Sequence, residues 1–352
     1  MAIPELLAEL LNAPGPSGHE TRPAQAWRDW CAAFATEVDV DHVGSSWARL
    51  AGNAGGPTLI VVGHIDEIGV HVTHIDDDGF LRFAPVGGWD PIVLIGQRIV
   101  LDTRTGPVIG VIARKAIHLL DEDERKTVPK IKDLHIDIAA ASGEEARSRV
   151  RIGDAGVIDG GPVELPGGRV VARSLDNRVG CYVAARAAQI LAESGGSPGD
   201  FLALAVAQEE TGFGGSRTSA FRHDPGVAIA VDVTHATDQP GIELGQMTRH
   251  PFGSGPVLSR GTTLNPRVFE LLHEAAERED IPFTVESLGR ATGTDADAIN
   301  ISRAGVPTGL VSVPLRYMHS PVEMVALEDI EASAQLIAAF ARDLAPGISF
   351  AR

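Results

Sequence analysis

Cysteine is nearly absent: the 352 residues hold two, Cys31 and Cys181. Two thiols make no disulfide framework, which points to a reducing, cytoplasmic setting; Cys181 is expected as a small buried thiol at a helix start. No run of about 18 or more apolar residues occurs, so no helical membrane span and no membrane partner are expected. The opening MAIPELLAELLNAPGPSGHE lacks the basic start and long apolar stretch of a signal peptide. Dense basic runs are missing too. The most basic stretch, Arg125 to Lys132, is interrupted and lies beside acids, and the net charge is −17. Such a chain repels phosphate backbones, which excludes nucleic acid as the expected partner. No G-x-G-x-x-G precedes a helix in the right place, so Gly87–Gly88 and Gly214–Gly215 are expected as tight turns rather than phosphate loops. Internal repeats and low-complexity tracts are absent.

What is present is an ordinary globular balance, 44% hydrophobic and 22% charged. The length exceeds one usual hydrophobic core, so a large domain plus a smaller one is expected. Continuous apolar runs at Thr58 to Gly63, Phe201 to Ala207, Val227 to Val231 and Thr308 to Val313 suit strands buried on both faces of a sheet. Helical stretches are expected at Glu5 to Leu11, Thr21 to Thr36 (with Ser17 to Glu20 as its cap), Asn177 to Glu193, Asn265 to Arg278, Ala296 to Ala304 and Leu327 to Leu344. Strands alternating with helices predict an α/β fold, a mixed sheet flanked by helices. From about Val70 to Val163 the pattern changes to short, glycine-containing β-like segments: HVTHI, FLRFAPV, QRIVLDT, GPVIGVIA, LHIDIAA. They predict a small β-barrel-like domain, residues 70–163, inserted into an α/β domain made of residues 1–69 and 164–352.

Acidic and histidine residues gather just after the apolar runs, where open α/β sheets carry their functional groups. VVGHIDEIG supplies His64, Asp66 and Glu67; ARSLDNRVG supplies Asp176; AVAQEETGFGGS supplies Glu209 and Glu210; AIAVDVTHATD supplies Asp232; and PLRYMHSPVEM supplies His319. H-x-D on an extended segment puts both side chains on one face, so a carboxylate can orient a ligating imidazole. Adjacent glutamates at the end of a buried strand repel unless a cation or proton neutralises one, and on extended backbone they point apart. One can face a metal while the other faces a metal-bound water. Two histidines, several carboxylates and no thiolate suit a dinuclear site of two divalent ions, zinc first and cobalt or manganese as alternatives. Spacing leaves open which carboxylate bridges. His71, His74 and His118 are expected to be structural, and His235 to have a supporting or core role. For Arg290 and Thr294 a pocket role and a simple loop role stand equal.

Many motifs in order over nearly the whole chain, namely HIDEIG, GGWDPIVLIGQR, HLL…ER, DLHIDIAAASGEEA, SLDNRVG, EETG, DVTHATD, GTDADAI and RYMHSPVE, resemble the M42 family of metallo-aminopeptidases. The resemblance implies a zinc-exopeptidase type of fold and release of N-terminal residues from short peptides. It also implies a homo-oligomer, a tetrahedral dodecamer, with dimer contacts from the insert. It pairs His64 with Asp232 on one ion and Glu210 with His319 on the other, with Asp176 bridging both. Glu209 becomes the general base for a metal-bridging water, and Asp66 orients His64. Asn177 stands where the family often has aspartate, Thr211 and Phe213 depart from its usual residues, and ATGTDA lacks a common second glycine; these bear on side-chain preference. A glycan hydrolase would need one protonated and one ionised carboxyl, with no use for two histidines and a bridging aspartate. A non-catalytic peptide-binding homologue should have lost at least one of these residues.

Overall fold

The computed structural model describes residues 2–243, 245 and 247–351. Among these residues the larger sheet has eleven strands. Four central ones, Phe201–Val206, Leu59–His64, Val227–His235 and Thr308–Arg316, lie side by side and parallel. Antiparallel strands extend this core: Ser46–Leu50 and Glu37–Val40 at one side, Glu323–Ala326, Arg169–Ala172 and Val163–Leu165 at the other, making the sheet mixed. Val257–Gly261 pairs with both Thr308–Arg316 and Thr284–Leu288.

The apolar runs form strands because both of their faces are covered. Along Phe201–Val206, Phe201, Ala203 and Ala205 join a core with the helices Leu175–Glu193 and Leu327–Arg342, whereas Leu202, Leu204 and Val206 join a second core on the opposite face. Leu59 and Val61 against Ile60 and Val62 divide the same way. With both faces apolar, the period-two alternation of a half-buried strand disappears. Polar chemistry is left to the strand ends. Gly63 lets the helix Leu175–Glu193 approach closely: a Cβ there would fall 2.2 Å from the Gly180 carbonyl carbon.

Six further strands among the described residues close into a barrel in the order Gly69–Ile75, Leu81–Val86, His135–Asp137, Gly106–Ala113, Arg98–Thr103, Ala155–Ile158. Val72, Leu81, Ile99, Leu101 and Ile112 fill it. Arg98–Thr103 and Gly106–Ala113 alternate between buried and outward-facing positions, whereas Ala155–Ile158 is buried throughout. The next strand, Val163–Leu165, already pairs with the larger sheet.

Two expected helices end well short, and Leu327 to Leu344 stops two residues early, at Arg342. Thr21 to Thr36 stops at Cys31, because Thr36 N–H donates to the Arg49 carbonyl and the chain runs into an edge strand. Ala296 to Ala304 is helical over Asp295–Ile299 only. Among the described residues no helix is long and apolar enough to cross a membrane.

Candidate active site

His64 ends its strand almost fully buried, 1% exposed. Its Nε2 lies 3.1 Å from Asp176 Oδ1 and 3.8 Å from Glu209 Oε2, and its Nδ1 lies 3.5 Å from Asp66 Oδ1. Asp66 also accepts the Glu209 and Glu210 N–H groups, one on each carboxylate oxygen, at 3.1 Å. Glu67 has a different place. It accepts from Arg173 and Arg178 in a buried ion-pair group and from Gly15 N–H.

Asp176 opens the helix Leu175–Glu193, which is kinked at Asp176 and Asn177, the peptide between them being cis. Its second oxygen lies 3.5 Å from His319 Nε2. Asn177 donates to the Val231 carbonyl at 2.7 Å and accepts from Gly180 N–H. An ionised aspartate could not make the first bond, which gives this departure a physical reason. Asp232 follows Val231 near the end of its strand. His319 Nε2 lies 3.4 Å from Glu210 Oε1, and its Nδ1 bonds the Gly88 carbonyl at 2.8 Å. Four non-glycine residues at or beside these groups, Ser174, Gln208, Tyr317 and His319, have left-handed backbone, a concentration typical of functional sites.

Of the eight side chains singled out in the sequence, all but Glu67 thus come together. The ligand atoms of His64, Asp176 and Glu210 lie within 4.8 Å of one another, as do those of His64, Glu209 and Asp232. Without cations the carboxyls compete for protons. Burial pushes Glu209 up to about 10; His64 opposes this, while Asp232, Asp295 and Glu210 add to it. Burial and Asp176 hold Asp232 far above the ordinary range, and burial raises Glu210 as well. Hydrogen bonds to Asp176 and Glu210 raise His319 to about 11. Burial alone would raise Asp176, yet its bonds to His319 and His64 keep it well below the usual carboxylate range. This is an excess of buried negative charge that divalent ions would neutralise, and the donors are all oxygen and imidazole; the residues fit such ions.

Two contributors escaped the sequence. Glu323, buried, accepts the backbone N–H of Asp176 at 3.0 Å and of His319 at 2.9 Å. It closes the RYMHSPVE motif, the one signal that could have found it. Gly87–Gly88 is more than a turn. A Cβ on Gly87 would lie 3.0 Å from Glu210 Oε2, and one on Gly88 3.2 Å from His319 Nδ1. The pair brings the segment after the barrel strand Leu81–Val86 against the site.

The site opens into a cleft of about 350 Å³ walled by Thr234, His235, Thr292, Gly293, Thr294 and Met318. His235 is exposed there rather than in the core. Thr294 both lines the cleft and caps Asp295–Ile299 through Ala296 N–H, whereas Arg290 is exposed on the preceding loop. His71 packs edge-on against His19, away from the cleft.

A profile of the M42 glutamyl aminopeptidase family matches residues 44–336. The lysyl aminopeptidase of Pyrococcus furiosus is 36% identical over 345 residues, 97% of each chain. The TET aminopeptidase of the marine sediment archaeon Thaumarchaeota archaeon SCGC AB-539-E09 superposes with a TM-score of 0.92 at 34% identity, covering 97% of this chain and 96% of that one. The TET1 peptidase of Pyrococcus horikoshii, which can assemble into a tetrahedron or a large octahedral shell, gives 0.85 at 31% identity, with 97% and 99% covered. A sequence profile, near-full-length relatives and backbone superposition agree: the chain belongs to the M42 glutamyl aminopeptidase family of metal-dependent exopeptidases.

Proposed function

We propose that this aminopeptidase is dinuclear and releases N-terminal residues from short peptides. Residues 1–69 and 164–352 carry the catalysis, and residues 70–163 serve dimerisation and act as a lid. The observation that carries this is the convergence of Asp66, Asp176, Glu209, Glu210 and Asp232 on two histidines beside one cleft. His64 and Asp232 would hold one ion, Glu210 and His319 the other, and Asp176 both. When bound, the two cations, zinc first and cobalt or manganese as alternatives, polarise the scissile carbonyl and lower the pKa of the attacking water. Glu209 takes that water's proton and passes it to the leaving amine. Asp66 keeps the His64 ring oriented. The acidic cleft attracts a free α-amine by charge and has no such hold on a blocked terminus.

The barrel's exposed Ile109, Val111, Ile117 and Leu119 support burial against another copy, and likeness to the TET peptidases favours a dodecamer. Two free, buried cysteines favour the cytoplasm.

Hydrolysis of aminoacyl-p-nitroanilides, with and without an N-terminal acetyl group, tests the proposal on metal-stripped protein and after adding back zinc, cobalt or manganese. Metal-restored turnover of free amines only is expected, with Glu209→Gln retaining metal and losing about 10²–10⁴-fold in kcat. Turnover indifferent to metal, or near-wild-type turnover by Glu209→Gln, would overturn it.

A further inference from the structure

The strand Phe201–Val206 ends just before the paired glutamates, and beyond it the backbone leaves the extended conformation. Gln208 has φ +61°, a left-handed conformation that a residue with a side chain adopts only when its surroundings hold it there. Three consecutive N–H groups there are caught by two buried carboxylates. Asp66 takes those of Glu209 and Glu210. Glu20, 4% exposed and 188 residues away in sequence, takes that of Gln208 on Oε1 at 3.1 Å. The same Glu20 oxygen accepts from Gly18 N–H at 2.6 Å. Ser17 adds a second tie, its hydroxyl 2.9 Å from that of Thr211, while Ser17 N–H donates to the Glu67 carbonyl. The Ser17–Glu20 loop therefore braces the Gln208–Thr211 turn from outside the sheet. Glu20 precedes the helix Thr21–Cys31, yet its side chain makes no cap bond to that helix. Held beside Asp66, a second buried acid is a liability for stability alone.

We propose that Glu20 is a positioning residue: its carboxylate holds the left-handed turn at Gln208 and so sets the directions in which Glu209 and Glu210 leave the sheet. This rests on the assignment of the two glutamates as base and ligand.

The test compares Glu20→Asp, which withdraws the carboxylate by one methylene, with Glu20→Gln, which keeps an Oε1 acceptor in place. Both are assayed as metal-loaded full chains on the same aminoacyl-p-nitroanilide, with metal content measured by mass spectrometry. Glu20→Asp should lose about tenfold or more in kcat, with KM within about threefold and metal content unchanged, because a misaimed base costs turnover rather than binding. Glu20→Gln should return to within about threefold of wild type. Wild-type kcat in folded, metal-loaded Glu20→Asp, or equal losses in both variants, would overturn the role. An inactive wild type would instead overturn the aminopeptidase assignment beneath it. If Glu20→Asp does not fold, Thr211→Val carries the test: about two- to fivefold loss of kcat at unchanged KM is expected, and an unchanged kcat overturns the proposal.

Discussion

The two histidines of the site are held by different means. His64 stands at the end of a central strand, buried, and the carboxylate facing its Nδ1, that of Asp66, is two residues away. His319 lies in a loop with φ +57°, its side chain 34% exposed. Its ring takes its direction from the Gly88 carbonyl, 231 residues distant, and its backbone from Glu323. One half of the centre is thus made by the sheet and by adjacent sequence; the other is made by tertiary contacts, one of which comes from the segment after a barrel strand. Metal-site geometry depends on such outer contacts nearly as much as on the ligands themselves, so the two halves should fail differently.

The largest effect is expected where the halves meet. Asp176→Asn should lose more than about 10³-fold in turnover and release metal at both positions, read by activity and by metal content. If one ion stays bound with wild-type affinity, the halves are independent. Next come the two orienting contacts. Asp66→Asn should weaken one ion about 10–100-fold, and Gly88→Val, whose side chain presses on His319, should weaken the other by about tenfold. Calorimetric titration of metal-stripped protein separates the two; if both variants alter the same binding step, the contrast is gone. The smallest effect belongs to the sheet-built half. Asn177→Asp removes the donor to Val231 and should cost about 1–3 kcal/mol, lowering Tm by a few degrees in thermal unfolding at pH 7. An unchanged Tm would mean the helix start does not depend on that bond.

The same division marks what could be read from the sequence. The central strands were legible as unbroken apolar runs, and His64, Asp66, Glu209, Glu210 and Asp232 stood out because they come at or directly after the ends of those runs; Asp176, at a helix start, was reached through its motif. Glu37–Val40, Ser46–Leu50, Val163–Leu165 and Glu323–Ala326 were not legible as strands. Each is five residues or fewer and owes its conformation to pairing with a neighbour. The barrel strand Ala155–Ile158 was missed for the same reason. His319 was reached through its motif; no local periodicity marks it. Glu20 and Glu323 accept from backbone N–H groups, and the Gly88 carbonyl meets an imidazole, far away in sequence, and pattern and propensity carry no trace of such contacts.

The reach of Gly88 to His319 also bears on exchanging parts between relatives. A barrel grafted from another member of the family would bring its own carbonyl to this imidazole, at whatever angle its hairpin imposes. The insert is therefore no interchangeable cassette. A chimaera with flawless barrel and sheet could still be a poor catalyst, and the cure would be sought at the seam after Val86 rather than among the ligands.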